Sequence, residues 1–185
     1  MRNFTALILA MALSVPSISF AAPIYQKDTI YPYKNFVESF SETVSLPGTG
    51  NKHYGIFGIT FTIQATGEDL YLPTTALRTR NAVLNDRSGV RYDIFDSEGN
   101  PYKSGISGAM VIGDKTPVDG YFKVAKGTTE TFTLLGILDT EGAPIQPETY
   151  QMRLDSFRYY LRSPSTNPVT DNYGFEKFKT KEVEL

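Results

Sequence analysis

Chemistry in this chain would have to be built from few groups. His53 is the only histidine among 185 residues, and there is no cysteine. A Ser-His-Asp arrangement or a zinc site would each need His53, yet no second histidine and no Gly-x-Ser-x-Gly turn accompany it. It stands at a loop-to-strand boundary and reads as a solvated loop residue. Asp96, Glu98 and Asn100 have the alternate spacing of a calcium loop. That loop needs Gly at its sixth position and Glu at its twelfth, where this sequence has Pro101 and Ser107. The stretch is therefore expected to be a hairpin turn, and Asp139 with Glu141 repeats the pattern with less support. Glu68, Asp69 and Asp93 read as surface carboxylates; a pair for sugar hydrolysis would have to meet in the fold. "SLPGTG", residues 45–50, fits the sortase pattern Leu-Pro-x-Thr-Gly, which works when an apolar span and a basic tail follow. Here Asn51-Lys52-His53 and a strand follow, so Pro47, Gly48 and Gly50 are expected to make a turn. No catalytic, cofactor-binding or metal-ligating residue is expected, and no enzyme.

Aromatic platforms that stack on sugars are the other chemistry within reach. Twelve tyrosines are present and no tryptophan. Tyr31, Tyr33, Tyr159 and Tyr160 are the surface candidates, with cross-strand packing at the core edge as the expected role.

The N-terminus gives an address. Arg2 precedes an apolar run over residues 4–13, followed by small and turn-prone residues through Ala22. This is the three-part layout of a secretory leader. Ser19-Phe20-Ala21 places small residues at the two positions a signal peptidase reads, so cleavage is expected after Ala21; cleavage after Ala22 would set Pro23 beside the scissile bond. The apolar core is shorter than the roughly 18 to 20 residues of a spanning helix, and Leu134-Leu135-Gly136-Ile137-Leu138 is shorter still. No membrane span is expected, and the protein should be periplasmic or extracellular. The absence of cysteine removes disulfides and lipid attachment through an N-terminal cysteine. The chain left after cleavage is long enough to bury about 70% of its unfolded surface without such staples, and it should be one domain. Lys+Arg number 18 and Asp+Glu 20, scattered without blocks. Nucleic acid and anionic lipid ask for a clustered basic face and are not expected partners.

The elements that must position these residues read as β. Residues 54–65 alternate strictly, with Phe57, Ile59, Phe61, Ile63 and Ala65 on one face and Gly58, Thr60, Thr62 and Gln64 on the other. Parity flips after Gly67-Glu68, so a bulge or turn is expected there. Residues 90–95 and 102–106 are expected to flank a hairpin loop. Strands follow at 121–125 and at 130–138, the latter with Phe132, Leu134 and Leu138 on one face. Tyr150, Met152 and Leu154 alternate, then Phe157, Tyr159 and Leu161 on the opposite parity, with a switch at Asp155-Ser156. A last strand is expected over 175–185, and residues 76–84 fit a short helix or a strand. Eight or nine short strands with regular turns predict an all-β, antiparallel two-sheet sandwich over 36–185, preceded by a leader at 1–21 and an extended arm at 22–35.

Residues 147–154, Pro-Glu-Thr-Tyr-Gln-Met-Arg-Leu, resemble the penultimate strand of immunoglobulin-like and fibronectin-like domains, with Tyr150 matching the tyrosine corner. "VAKGTTETFTLLGIL" resembles the turn and strand before it in bacterial surface domains. "FTIQATGEDLYLP", "KGTTETFTL" and "YGFEKFKTKEVEL" together resemble secreted sandwich proteins of uncultivated small-genome bacteria. The resemblance implies a fold and an envelope or extracellular address, without an activity. Some surface sandwiches form an internal Lys–Asn bond using a Tyr-x-Leu-x-Glu strand; Tyr150, Met152, Leu154 put Leu where Glu is needed, so that bond is not expected. The expected function is that of a non-enzymatic envelope or extracellular protein acting through protein contacts or self-association. The alternative is a glycan-binding or glycan-hydrolysing module.

Overall fold

A computed structural model describes residues 32–45, 53–82, 86–103, 106–140 and 148–185. The expected leader, most of the arm, Glu141 and residues 46–50 of "SLPGTG" lie outside the described residues. The chain forms β1 (Tyr33–Ser45), β2 (His53–Gln64), β3 (Leu70–Pro73), β4 (Ala76–Arg78), a 3-10 turn (Thr79–Asn81), β5 (Val90–Phe95), β6 (Ile106–Gly113), β7 (Tyr121–Val124), β8 (Thr129–Asp139), β9 (Thr149–Leu161), β10 (Val169–Asp171) and β11 (Val183–Glu184). One sheet has the order β1-β2-β8-β6. The other has the order β4-β5-β9-β3-β7, with β10 and β11 also pairing to β9. The two sheets pack face to face as a β-sandwich, with Phe61 of β2 against Phe157 of β9 in the shared core. All strand pairs are antiparallel except the short parallel pair β4–β5.

The alternation of the sequence becomes the core. Phe57, Ile59, Phe61, Ile63, Phe132, Leu134, Met152 and Leu154 are all buried. The parity flip after Gly67 is where the chain leaves β2 for β3 in the opposite sheet. The switch at Asp155-Ser156 is a bulge inside one continuous strand: Arg91 pairs with Ser156 but Tyr92 with Leu154, leaving Asp155 as the extra residue. Tyr150, the second residue of β9, is buried, and its hydroxyl donates to Glu148 Oε2 at 2.7 Å. This ties the strand start to the residue two positions upstream.

Several expectations are corrected. Residues 102–106 do not form a hairpin partner for β5. Pro101 bridges to Phe95 and the Tyr102 amide donates to the Ile94 carbonyl, which closes the turn. The chain then crosses to the other sheet, where β6 pairs with β8. The final strand over 175–185 shrinks to β11. Phe175 and Phe178, three apart, both pack on Phe157, a spacing that a regular strand would send to opposite faces. Tyr33, Lys34 and Asn35 are the first residues of β1 rather than arm. Residues 76–84, which fit either a helix or a strand, hold both kinds: 76–78 form β4 and 79–81 the 3-10 turn, while 83 and 84 lie outside the described residues.

Candidate functional site

The groups with chemical capacity are placed as follows. His53 begins β2 and is exposed; its Nδ1 lies 2.9 Å from Ser45 Oγ across the β1–β2 pair. The structure records no carboxylate against the ring among the described residues, so the Ser–His contact lacks the third group that orients a base. Asp96 Oδ1 accepts the amides of Glu98 and Asn100 at 3.0 and 2.8 Å, and Gly99 takes φ +80°. The carboxylate is thus spent on closing its own turn. Glu68 meets Arg162 in a bidentate contact at 2.6–2.8 Å, and the hydrogen bond from that guanidinium holds its carboxyl below the usual range. Asp69 is lowered likewise by Lys123 and by the Lys126 amide. Asp139 ends β8 opposite Tyr54. Among the described residues no group of three or more His, Cys, Asp or Glu is arranged to hold a metal ion.

Asp93 is not a surface carboxylate. It is 4% exposed, and its Oδ1 accepts Arg78 Nε at 2.8 Å and Arg78 Nη2 at 2.6 Å. Arg78 also donates to Ser107 Oγ at 3.3 Å and to the Tyr102 carbonyl. One guanidinium therefore ties β4 and β5 to β6 of the facing sheet. Lys34 pairs with Asp171 and lies over the Phe175 ring at 4.4 Å, which fastens β1 to β10. Tyr159 and Tyr160 are buried, as the packing role requires, whereas Tyr33 is 68% exposed and Tyr31 lies outside the described residues. A narrow cleft with room for little more than a water molecule opens beside Phe122 and Phe132, where Lys115 pairs with Glu130. That is below the size of ordinary ligand pockets.

The feature that the residue types did not announce is the outer face of the four-stranded sheet. Strand register stacks it in rows. Phe40, Gly58, Leu135 and Met110 form one row. Ile56, Ile137 and Gly108 form the next toward the His53 end, and Thr60, Thr133 and Ile112 the next the other way. Phe40, Met110, Ile112 and Ile137 are all exposed, with Ile56 and Leu135 half-buried between them. The Phe40 ring lies flat over Gly58: a Cβ on that glycine would sit 2.0 Å from Phe40 Cε1. A half-buried sheet ordinarily turns polar residues to water. Here the outward face carries a contiguous apolar patch, the property that marks contact surfaces. The sequence signal was Leu134-Leu135-Gly136-Ile137-Leu138, apolar on both parities. A strand covered on one side only does not need that pattern.

No protein-family model matches the chain, and no curated protein matches it. Among solved structures, the collagen-binding subdomain ACE19 of the Enterococcus faecalis surface protein ACE is similar at 14% identity. The match has a TM-score of 0.22 and covers 84% of this chain and 97% of that one. A likeness at that level carries no argument about function; the sandwich assignment rests on the two sheets and their register. Among the described residues no helix is long and apolar enough to cross a membrane.

Proposed function

We propose that this is a secreted, non-enzymatic β-sandwich protein of the cell envelope or extracellular space that works through protein contacts, in adhesion, assembly or scaffolding. The observation that carries the reading is the apolar outer face of β1-β2-β8-β6, with Phe40, Met110, Ile112 and Ile137 exposed together. An exposed face of this kind favours association because water leaves it on contact. The leader-like residues 1–21 support the address. The carboxylates Glu68, Asp69, Asp93 and Asp96 support the non-enzymatic reading, since each is occupied by an ion pair or a turn rather than turned toward a cleft. A second reading, glycan binding, is favoured by Tyr33 and Tyr173, exposed at 68% and 71%. Both precede or follow residues of the Lys34–Asp171 pair. Capture from the envelope fraction of the producing cells, run beside a glycan array, separates the two. The protein-contact reading expects Met110→Lys to abolish capture of a defined protein partner and Tyr33→Ala to leave it intact. Glycan binding lost in Tyr33→Ala, with no partner dependent on Met110, would reverse the order.

A further inference from the structure

Among the described residues, the longest edge strand is β1. It runs 13 residues, Tyr33–Ser45, and pairs through its backbone with β2 alone. Among the described residues no backbone group of β1 bonds to any other segment. The opposite edge of the same sheet is partly covered, since the Val111 amide of β6 donates to the Thr74 carbonyl at 2.9 Å. The C-terminal segment approaches β1 through β1 side chains: Phe36 rests against Phe178, Lys34 lies over Phe175, and the Ser41 and Thr43 hydroxyls donate to the carbonyls of Lys181 and Glu184. An edge of this kind presents a row of backbone amides and carbonyls to which another strand can add. A bulge interrupts the ladder between Phe36 and Glu38, but from Glu38 to Ser45 the register is regular.

We propose that residues 22–31 of one molecule add as a strand to the free edge of β1 in a second copy, so that the chain assembles head to tail. The inference rests on the protein-contact reading and names its partner. Three features converge. First, the edge is guarded against itself. Glu38 and Glu42 stand on the outer face of β1, paired with Thr60 and Ile56, and pairing two β1 strands about Phe40 would set Glu38 against Glu42. Like charges directly opposite are destabilising. A strand that turns Tyr25, Lys27 and Thr29 to this face sets Lys27 beside the glutamates and sends Asp28 to the opposite face. Second, ten residues extend to about 33 Å, enough to run beside the eight regular residues of β1, and Ile24, Tyr25, Thr29, Ile30 and Tyr31 favour strand. Third, the sequence joining the arm to β1 does not suit a tight return onto its own edge. A tight hairpin back onto β1 needs positive φ, supplied by Gly, Asn or Asp. The joining residues are Ile30-Tyr31-Pro32-Tyr33. The proline ring fixes its own φ at about −65° and disfavours helical backbone at the residue before it, which a two-residue hairpin turn does not fit. An edge at one place and a donor strand at another make a heterologous contact, which propagates unless its rotation closes a ring.

The test compares three purified forms by sedimentation velocity over a range of concentrations: the chain from Ala22, the chain from Pro32, and the Ala22 chain carrying Thr29→Pro. Near-ultraviolet circular dichroism checks that all three are folded, and amide exchange is followed along β1. The Ala22 chain should form dimers and larger species as concentration rises, with residues 38–45 becoming protected. The other two should stay monomeric, and a synthetic peptide of residues 22–31 should restore protection to the Pro32 chain. Three results would overturn the proposal: monomers throughout with β1 unprotected, protection in the Ala22 chain that is independent of concentration, or assembly that survives removal of the arm. Cross-linking from Met110 on the sheet face reads the protein-contact reading separately, because it does not depend on the arm.

Discussion

Phe61 and Phe40 sit on neighbouring strands and face opposite ways, and truncating each tests the register on which both core and surface depend. Phe61 is 0% exposed, its ring centroid 4.7 Å from that of Phe157, 5.9 Å from Phe132 and 6.4 Å from Phe178. Burying a phenylalanine removes roughly 200 Å² from water, about 5 kcal/mol at ~25 cal/mol per Å². Alanine retains a small part of that, and neighbouring rings cannot collapse fully into the space. Phe61→Ala should therefore lower stability by about 3 to 5 kcal/mol, a large share of the roughly 5 to 15 kcal/mol that holds a domain of this size. Phe40 is 44% exposed, and its removal leaves no enclosed cavity. Phe40→Ala should lower stability by about 1 to 2 kcal/mol. Urea unfolding followed by tyrosine fluorescence and far-ultraviolet circular dichroism gives both values under one set of conditions. A one-residue slip of β1 or β2 would exchange core and solvent faces. Equal losses in the two variants, or a larger loss at Phe40, would refute the register.

Other consequences follow from the buried polar groups. Arg78→Ala leaves Asp93 charged and unpaired inside the sandwich and should destabilise by about 3 to 5 kcal/mol; Arg78→Met combined with Asp93→Leu should recover most of that loss in the same urea assay. Burial, reinforced by the hydrogen bond to Glu148, pushes the Tyr150 hydroxyl above its ordinary value, and burial raises Tyr92 as well. The unfolded chain therefore releases these protons first, near the ordinary value of about 10. Stability is fully present below that pH and falls as pH rises above it, because the folded state then binds more protons than the unfolded one. Tyr150→Phe should flatten this alkaline decline; an unchanged decline would show that the phenol is not enclosed.

The parts of the fold legible in the sequence are those where a local period coincides with burial. β2, β8 and the first half of β9 alternate because one face meets the core, and the parity change at Asp155 was visible because a bulge must shift every later side chain. β1 was not legible. Its inward positions include Lys34, Ser41 and Thr43, polar because they meet Asp171 and the carbonyls of the C-terminal segment rather than apolar core. Nor was β6, where Gly108 and Gly113 break any apolar period. Asp93 looked like a surface acid because its partner, Arg78, lies 15 residues away in the chain and reaches it only through the parallel β4–β5 pair. The apolar outer face escaped for a related reason. Its members come one or two at a time from β1, β2, β6 and β8, and become a patch only when strand register aligns them.

The protein-contact surface is tested most directly by placing a photo-cross-linking residue at Met110, and at exposed Tyr173 as control, in the chain expressed in the cells that make it. The account predicts that Met110 cross-links to one discrete protein, that Tyr173 does not, and that Ile137→Lys abolishes the Met110 product while urea unfolding shows the fold intact. Equal labelling from both positions, or a Met110 product indifferent to Ile137→Lys, would contradict it.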